Sequence, residues 1–263
     1  MWQYFPYIAW GMIGLWIFSS FLLYRKNRFV TMATSLHALA TLILGVFICL
    51  LWMKLQRPPL RTLAETRIWY SFFMGAIGLV IFYMYRQKWM LSYSALMGSV
   101  FILVTYFRPD SFNKTLMPAL QSVWFIPHVV VYIFAYAMLG MATVVAVKGI
   151  YDYQNQRDNS ETLLVTDRLI NIGYAFLTFG LLFGALWAKE AWGHYWTWDP
   201  KETWAFISWL GYLVYIHYRY KYKNHKSITS FSIVVIAFLL LLVCWFGVNY
   251  LPTASQSVHT YSG

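Results

Sequence analysis

Cysteine and charge are both scarce in this sequence. Cys49 and Cys244 are the only cysteines among 263 residues, both within apolar runs, and no C-x-x-C or C-x-x-C-H motif occurs. The chain is therefore neither a thiol reductant of the usual pattern nor a protein that attaches haem through its own cysteines. Only 11% of the residues are charged and 60% are hydrophobic, which excludes a soluble domain and indicates an integral membrane protein.

The apolar residues form long runs. A membrane span needs about 20 of them, and eight segments qualify, with boundaries uncertain by several residues. These runs predict an all-α polytopic bundle of about eight transmembrane helices. They leave no room for a separate soluble domain, and the first run lacks the flanks of a cleaved signal peptide, so residues 1–263 are interpreted as one transmembrane domain. The predicted spans are roughly 4–24, 32–53, 68–85, 89–107, 124–147, 169–188, 202–218 and 229–249.

Basic residues outnumber acidic ones by 20 to 9, which gives a net charge of +11. If the N-terminus is outside, twelve Lys and Arg fall in the inside connections and eight in the outside ones. The positive-inside rule then places both termini outside. Since this division among membrane loops explains most of the net charge, nucleic-acid binding is an unnecessary interpretation.

Tryptophan, by contrast, is concentrated in one segment. Five of the 14 tryptophans fall within the 18 residues 192–209, which read WGHYWTWDPKETWAFISW. Indole rings have broad apolar faces and are costly to expose, so their clustering around an Asp-Pro-Lys-Glu turn favours a flat apolar ligand with ionised edges. Haem has this chemistry. The predicted topology places the tryptophan-rich loop, residues 187–204, on the outer side of the membrane.

A helix start offers a structural interpretation of the same segment. Asp199 is suited to the N-cap, Pro200 to the first helical position, and Glu202 to the third position of a capping box. This interpretation leaves the clustered indoles unexplained, and we therefore predict that a fixed helix start positions a haem-binding surface. The residues predicted to form this surface are Trp192, Trp196, Trp198, Asp199 and Trp204.

The motif resembles the tryptophan-rich signature of the CcsA/CcmC haem-handling family of cytochrome c biogenesis proteins, approximately W-G-x-x-W-x-W-D-P-K-E-T-W. Every fixed position of that signature is matched between Trp192 and Trp204. The resemblance runs from Arg57 to the C-terminus and is strongest up to His217. It implies a CcsA-type membrane subunit of a System II cytochrome c synthase, a haem lyase for which haem b is both substrate and bound ligand.

The resemblance also implies a reaction and partners. The two cysteines of an apocytochrome c C-x-x-C-H motif would form thioether bonds with the two haem vinyl groups on the outer face of the membrane. The implied partners are a CcsB/ResB-type membrane subunit, apocytochrome c, and thiol-reducing proteins that act on the apocytochrome. The implied location is the bacterial cytoplasmic membrane, or a thylakoid membrane in a plastid or cyanobacterium.

Two of the six histidines lie on the predicted outer side. His128 begins the fifth span, and His259 lies in the C-terminal tail. Two neutral imidazoles flanking a planar pocket are suitable axial ligands for haem iron, whereas a single histidine at a membrane boundary is more often an interfacial residue. The resemblance points to the same pair, since relatives carry an external histidine before the motif and another in an H-S-Y-G-like ending. Here the ending is H-T-Y-S-G.

A second pair, His37 and His217, lies at similar predicted depth near the inner side. A bis-histidine site there would receive haem from the cytoplasm. His217 matches a transmembrane position of the family, W-L-x-x-x-x-Y-x-H-x-R. For His37 two alternatives stay open, a hydrogen bond to a neighbouring helix and a second ligand from the partner subunit. We expect His194 to make a local contact and His225 to lie in a solvated basic loop.

A proline-containing connection precedes the third span, as it does in the family. The prolines of Arg57-Pro58-Pro59-Leu60 are expected to fix the angle of the next helix, and a structural role is also open for Glu65. Several outer cations are candidates for haem propionates or an acidic partner, with lipid headgroups as the ordinary alternative. They are Arg57, Arg61, Lys189 and Lys201.

Two other functions remain open. A CcmC-like protein carries the same tryptophan motif, typically has six spans, and hands haem to a chaperone without forming the thioether bond. A non-haem polytopic transporter requires the motif and four well-placed histidines to be coincidental, and it would be colourless when purified.

Overall fold

The computed structural model describes residues 1–112, 122–222 and 227–252. Eight α-helices lie within these ranges, and short 3-10 turns flank several of them. The predicted all-α class is confirmed. The helices are α1 (Phe5–Leu23), α2 (Val30–Leu55), α3 (Leu63–Tyr85), α4 (Lys88–Tyr106), α5 (Phe125–Gln154), α6 (Ser160–Trp192), α7 (Pro200–Lys221) and α8 (Ser227–Trp245).

Seven of these helices, all but α7, are long and apolar enough to cross a membrane. This count confirms a polytopic membrane protein. Helix α7 has Lys201 and Glu202 in its first turn and Arg219 and Lys221 in its last, so only the residues between these charged ends are available for a span. A span at 202–218 therefore stays a prediction.

Helices α5 and α6 both extend beyond their predicted spans. Helix α5 continues to Gln154, and α6 begins at Ser160 rather than near residue 169. The extension of α6 is stable because Val165, Leu169 and Ile170 recur at helical spacing and are buried. Two cations that the topology count assigned to a connection, Lys148 and Arg168, consequently lie in helices.

The helices group into two compact units, residues 1–120 and 121–263. In the first, α1 packs against α2 and α4, while α3 packs against α4 and α2. Trp16 lies fully buried at the centre of this unit. It fits because Gly98 faces it, where a Cβ would approach the indole to 2.9 Å. One domain over 1–263 stays a prediction.

In the second unit α5 packs along α6 and α8, and α7 packs mainly against α8. Glycines bring these helices close together. A Cβ on Gly149 would lie 2.3 Å from the ring of Phe231 in α8, and one on Gly173 would lie 2.7 Å from Leu139 in α5. The close approach at Gly173 holds α6 against α5, and His128 lies near the N-terminal end of α5.

Candidate functional site

The tryptophan-rich loop is shorter than the predicted 187–204, because the adjoining helices extend into that range and only residues 193–199 lie between them. Helix α6 ends at Trp192, and Gly193 follows in the left-handed region at φ 85°, where glycine carries no Cβ penalty. Helix α7 begins at Pro200 with a complete capping box formed by Asp199 and Glu202. The predicted helix start is confirmed.

The Glu202 carboxylate extends this capping role into the loop. It accepts a hydrogen bond from the Asp199 backbone N–H at 3.2 Å and another from the Thr197 backbone N–H at 2.8 Å. The Thr203 hydroxyl donates to the Trp198 carbonyl at 3.1 Å. These bonds hold Trp198 with φ 59° and its indole 64% exposed. The loop therefore presents an exposed indole on a fixed backbone.

The indoles of the motif contribute to two aromatic groups. The first group surrounds His128, whose ring centroid lies 5.2 Å from that of Trp187 in α6. Trp187 in turn meets Trp192 edge to face at 4.9 Å. Trp192 is therefore connected to His128 through Trp187, which sequence reasoning had not singled out.

The second aromatic group joins the end of the loop to the first half of α7. Trp196 and Trp198 meet each other at 5.7 Å and pack edge-on against Phe206. Phe206 stacks on Trp209 at 5.9 Å. Trp204 is the fifth residue of the same helix and is partly buried. The haem-binding surface formed by Trp192, Trp196, Trp198, Asp199 and Trp204 stays a prediction.

His128 is oriented by α6. Its Nδ1 lies 2.9 Å from the Gly180 carbonyl oxygen. Since a carbonyl can only accept, Nδ1 carries the proton and the lone pair resides on Nε2. Gly184, one turn further along α6, provides room for the ring. His259, the predicted opposite ligand, and His225 lie outside the described residues.

His37 is completely buried within the first unit. Its ring centroid lies 5.9 Å from that of Trp16. Neither imidazole nitrogen forms a hydrogen bond of good geometry among the residues that the structure describes, and the same holds for Trp16 Nε1. The backbone of Gly75 in the neighbouring helix α3 nevertheless interacts with the imidazole, so the alternative of a hydrogen bond to a neighbouring helix stays a prediction.

His217 lies in the second unit on an exposed part of α7. Its Nδ1 is 2.9 Å from the Leu213 carbonyl of its own helix, which again places the lone pair on Nε2. The proposed pairing of His37 with His217 stays a prediction, since each is described within its own unit. His194 is exposed in the tryptophan-rich loop.

Glu65 occupies a capping box at the start of α3 with Thr62. Its carboxylate, 1% exposed, also forms two hydrogen bonds with the Arg57 guanidinium at 2.9 and 3.0 Å. Glu65 therefore has a structural role, and it neutralises the charge of Arg57. The neighbouring Arg61 differs, because partial burial and the nearby charge of Arg57 lower its pKa.

Comparison with known proteins shows the family to which the sequence is related. The model of the cytochrome c assembly protein family matches residues 3–255. A cytochrome c biogenesis protein CcsA from Guizotia abyssinica is 30% identical, covering 83% of this chain and 85% of the relative. The CcsA protein of Trachelium caeruleum is 32% identical over 84% of this chain and 85% of its own length.

A third relative covers more of this chain. The cytochrome c biogenesis protein CcsA of Chlamydomonas reinhardtii is 31% identical over 95% of this chain and 72% of its own length. The chain therefore belongs to the cytochrome c assembly protein family and is of the CcsA type.

Proposed function

We propose that this chain is the haem-presenting subunit of a cytochrome c synthase, which holds haem on the outer face of the membrane for attachment to apocytochrome c. The observation that carries the proposal is the oriented imidazole of His128. It lies beside Trp187, which contacts Trp192 at the start of the tryptophan-rich loop. Family membership supports a role in cytochrome c maturation.

The donor chemistry around His128 fits haem. The Nδ1–H bond to Gly180 fixes the ring, and such bonds to a ligating histidine both orient it and raise its basicity. Nε2 is then the nitrogen suited to an axial position on iron. Trp187 and Trp192 offer apolar surface to the porphyrin, and Trp198 is exposed for a ligand or a peptide. His259 is the proposed second axial ligand.

The tryptophan-rich loop also retains an unused donor. Trp196 Nε1 is buried and has no hydrogen-bond partner among the described residues. Buried donors are nearly always satisfied in functional states. A haem propionate or a backbone carbonyl of the apocytochrome would satisfy it.

The reaction requires little acid–base chemistry from this chain. Each substrate thiol adds across a haem vinyl group, so that sulfur bonds to one vinyl carbon, the thiol proton goes to the other, and no net oxidation occurs. Cys244 is buried and Cys49 has no partner cysteine, so the thiols are those of the apocytochrome. Holding the vinyl groups beside an extended C-x-x-C-H peptide accelerates the addition through proximity and orientation.

We assign the remaining parts as follows. His37 and His217 are the ligands that we propose for haem near the inner side of the membrane, from which haem passes to the outer site. The N- and C-termini and the tryptophan-rich loop lie outside, and the whole chain acts as one haem-handling domain with a CcsB/ResB-type subunit. Thiol-reducing proteins keep the apocytochrome reduced. The membrane is the bacterial cytoplasmic membrane, or a thylakoid membrane.

The proposal is tested by covalent haem attachment. The chain and a CcsB/ResB-type partner are expressed with a C-x-x-C-H apocytochrome in a bacterium that lacks its own maturation system, and covalent haem is measured after denaturing electrophoresis. We expect His128→Ala to lower the product about tenfold or more, with partial rescue by imidazole. His194→Ala, the exposed loop control, should match the unmodified chain.

Two results would overturn the proposal. Covalent haem at the unmodified level with His128→Ala removes the ligand assignment. Haem-loaded protein that never yields covalent product, even with the partner present, supports delivery to a chaperone instead.

A further inference from the structure

One face of α7 carries the residues around His217. Leu210, Leu213, Val214, His217, Tyr218 and Lys221 line a shallow surface cavity of about 380 Å³. Their spacing of three or four residues places them on one side of the helix. Within this strip the two leucines and the valine occupy the first two turns, His217 follows, and Lys221 ends it.

The imidazole of His217 is unusual in this setting. It is exposed on a strip whose positions before it, Leu210, Leu213 and Val214, are apolar, and Val214 is 57% exposed. An ionisable side chain beside apolar residues of a membrane protein is by default a candidate functional site, because contact with hydrocarbon is unfavourable for it. The Nδ1 bond to Leu213 leaves the Nε2 lone pair as the ligating position.

Lys221 lies one turn beyond His217, about 6 Å along the helix axis. Its ammonium group is 5.2 Å from the Tyr222 ring centroid, and it forms no ion pair with a carboxylate among the described residues. The other cation of this turn differs. Arg219 forms two hydrogen bonds with Asp167, at 2.9 and 2.8 Å.

This contrast distinguishes the two cations chemically. Arg219 is neutralised within the protein, and Asp167 also accepts a bond from the Tyr215 hydroxyl at 2.6 Å. Lys221 lies at the polar end of the apolar strip and has no such carboxylate partner among the described residues. A ligand that fits this strip has an apolar body, a metal centre for His217, and a carboxylate at one edge.

We infer that Lys221 binds a haem propionate at the inner site, so that haem on His217 has its propionate edge toward the C-terminal end of α7. The inference rests on the proposed haem-handling function and adds to it the orientation of the ligand. The opposite, vinyl-bearing edge then lies against Leu210 and Val214. It points along α7 toward the helix end that carries the tryptophan-rich loop.

The test compares haem with haem dimethyl ester, in which both propionates are neutral. Binding of each is measured by absorption titration of the full chain, purified with its partner subunit and carrying His128→Ala so that the inner site dominates. We expect haem to bind about tenfold more tightly than the ester, since hydrogen bonds between charged groups are among the stronger ones.

Four variants at three positions make the comparison specific, one of which, His217→Ala, removes the proposed iron ligand. Lys221→Gln should reduce the preference for the free acid to near unity, and Lys221→Arg should keep it. Lys26→Gln removes a charge from the exposed connection between α1 and α2 and should leave the preference unchanged.

The outcomes separate this inference from the function on which it rests. If His217→Ala abolishes haem binding while Lys221→Gln keeps the full preference, the propionate assignment is wrong and the haem function stands. If no variant and no parent chain binds either compound, the proposed function itself fails. Equal loss of preference in Lys221→Gln and Lys26→Gln would mean that overall charge, not Lys221, selects the carboxylate.

Discussion

His128 and Gly184 lie so close that a Cβ on Gly184 would meet the imidazole at 2.8 Å, at both Cε1 and Nδ1. The same ring is bonded through Nδ1 to the Gly180 carbonyl, one turn earlier on α6. The Gly180 carbonyl and the missing Cβ of Gly184 therefore together determine the position of the imidazole ring. The position of His128 is determined by α6 as much as by its own helix.

Replacing Gly184 with alanine should displace the ring without removing it. We expect Gly184→Ala to break the Nδ1 bond and weaken haem retention at the outer site about tenfold, as loss of such supporting bonds does at metal sites. Haem per mole of purified protein measures this. Gly14→Ala is the matched control, because nothing lies within 4 Å of a Cβ there. Equal haem content in both variants would contradict the positioning role.

Asp199→Ala should loosen the tryptophan-rich loop by removing the cap of α7. Loss of an N-cap side chain costs about 1 kcal/mol, whereas asparagine keeps the acceptor. We therefore expect Asp199→Ala, but not Asp199→Asn, to lower the thermal midpoint and increase proteolysis between residues 193 and 199. Identical cleavage rates in the two variants would show that the cap does not hold the loop.

Glu65→Ala should destabilise the first unit. It removes a nearly buried carboxylate that accepts bonds from Arg57 and from the backbone N–H groups of Arg61 and Thr62. Breaking a buried ion pair costs about 3 kcal/mol or more because the remaining charge is left without its partner. Urea unfolding in detergent measures the loss. The double variant Arg57→Leu with Glu65→Leu should recover much of it, and a double variant as unstable as Glu65→Ala would argue against the ion pair.

The orientation of the chain across the membrane can be tested by cysteine labelling. With Cys49 and Cys244 replaced by alanine, single cysteines are introduced as His194→Cys in the tryptophan-rich loop and Asn155→Cys after α5. A membrane-impermeant maleimide on intact cells should label the former, and label the latter only after permeabilisation. Labelling in the reverse pattern would invert the membrane orientation and the assignment of inner and outer haem sites.

The parts of this protein that sequence predicted well are those encoded locally. The capping box at Asp199 and Glu202 depends on four consecutive residues, so its type and place could be read directly. The helical class followed in the same way from long apolar runs. The supports of His128 could not be predicted, because Gly180, Gly184 and Trp187 are distant in sequence and meet it only when α6 packs on α5.

The contacts of the motif's indoles could not be predicted for the same reason. Trp192 meets Trp187, which lies beside His128, and Trp196 and Trp198 pack on Phe206. These neighbours depend on where α6 ends and α7 begins in space, which residue spacing does not encode.

The absorption spectrum of the purified chain with its partner subunit tests the central claim most directly. Bis-histidine ligation of iron predicts a low-spin b-type haem spectrum, with split α and β bands on reduction. His128→Ala and His259→Ala should each lower haem content or shift it to high spin, and added imidazole should partly restore the parent spectrum. A colourless parent protein, or parent spectra in both variants, would contradict the account.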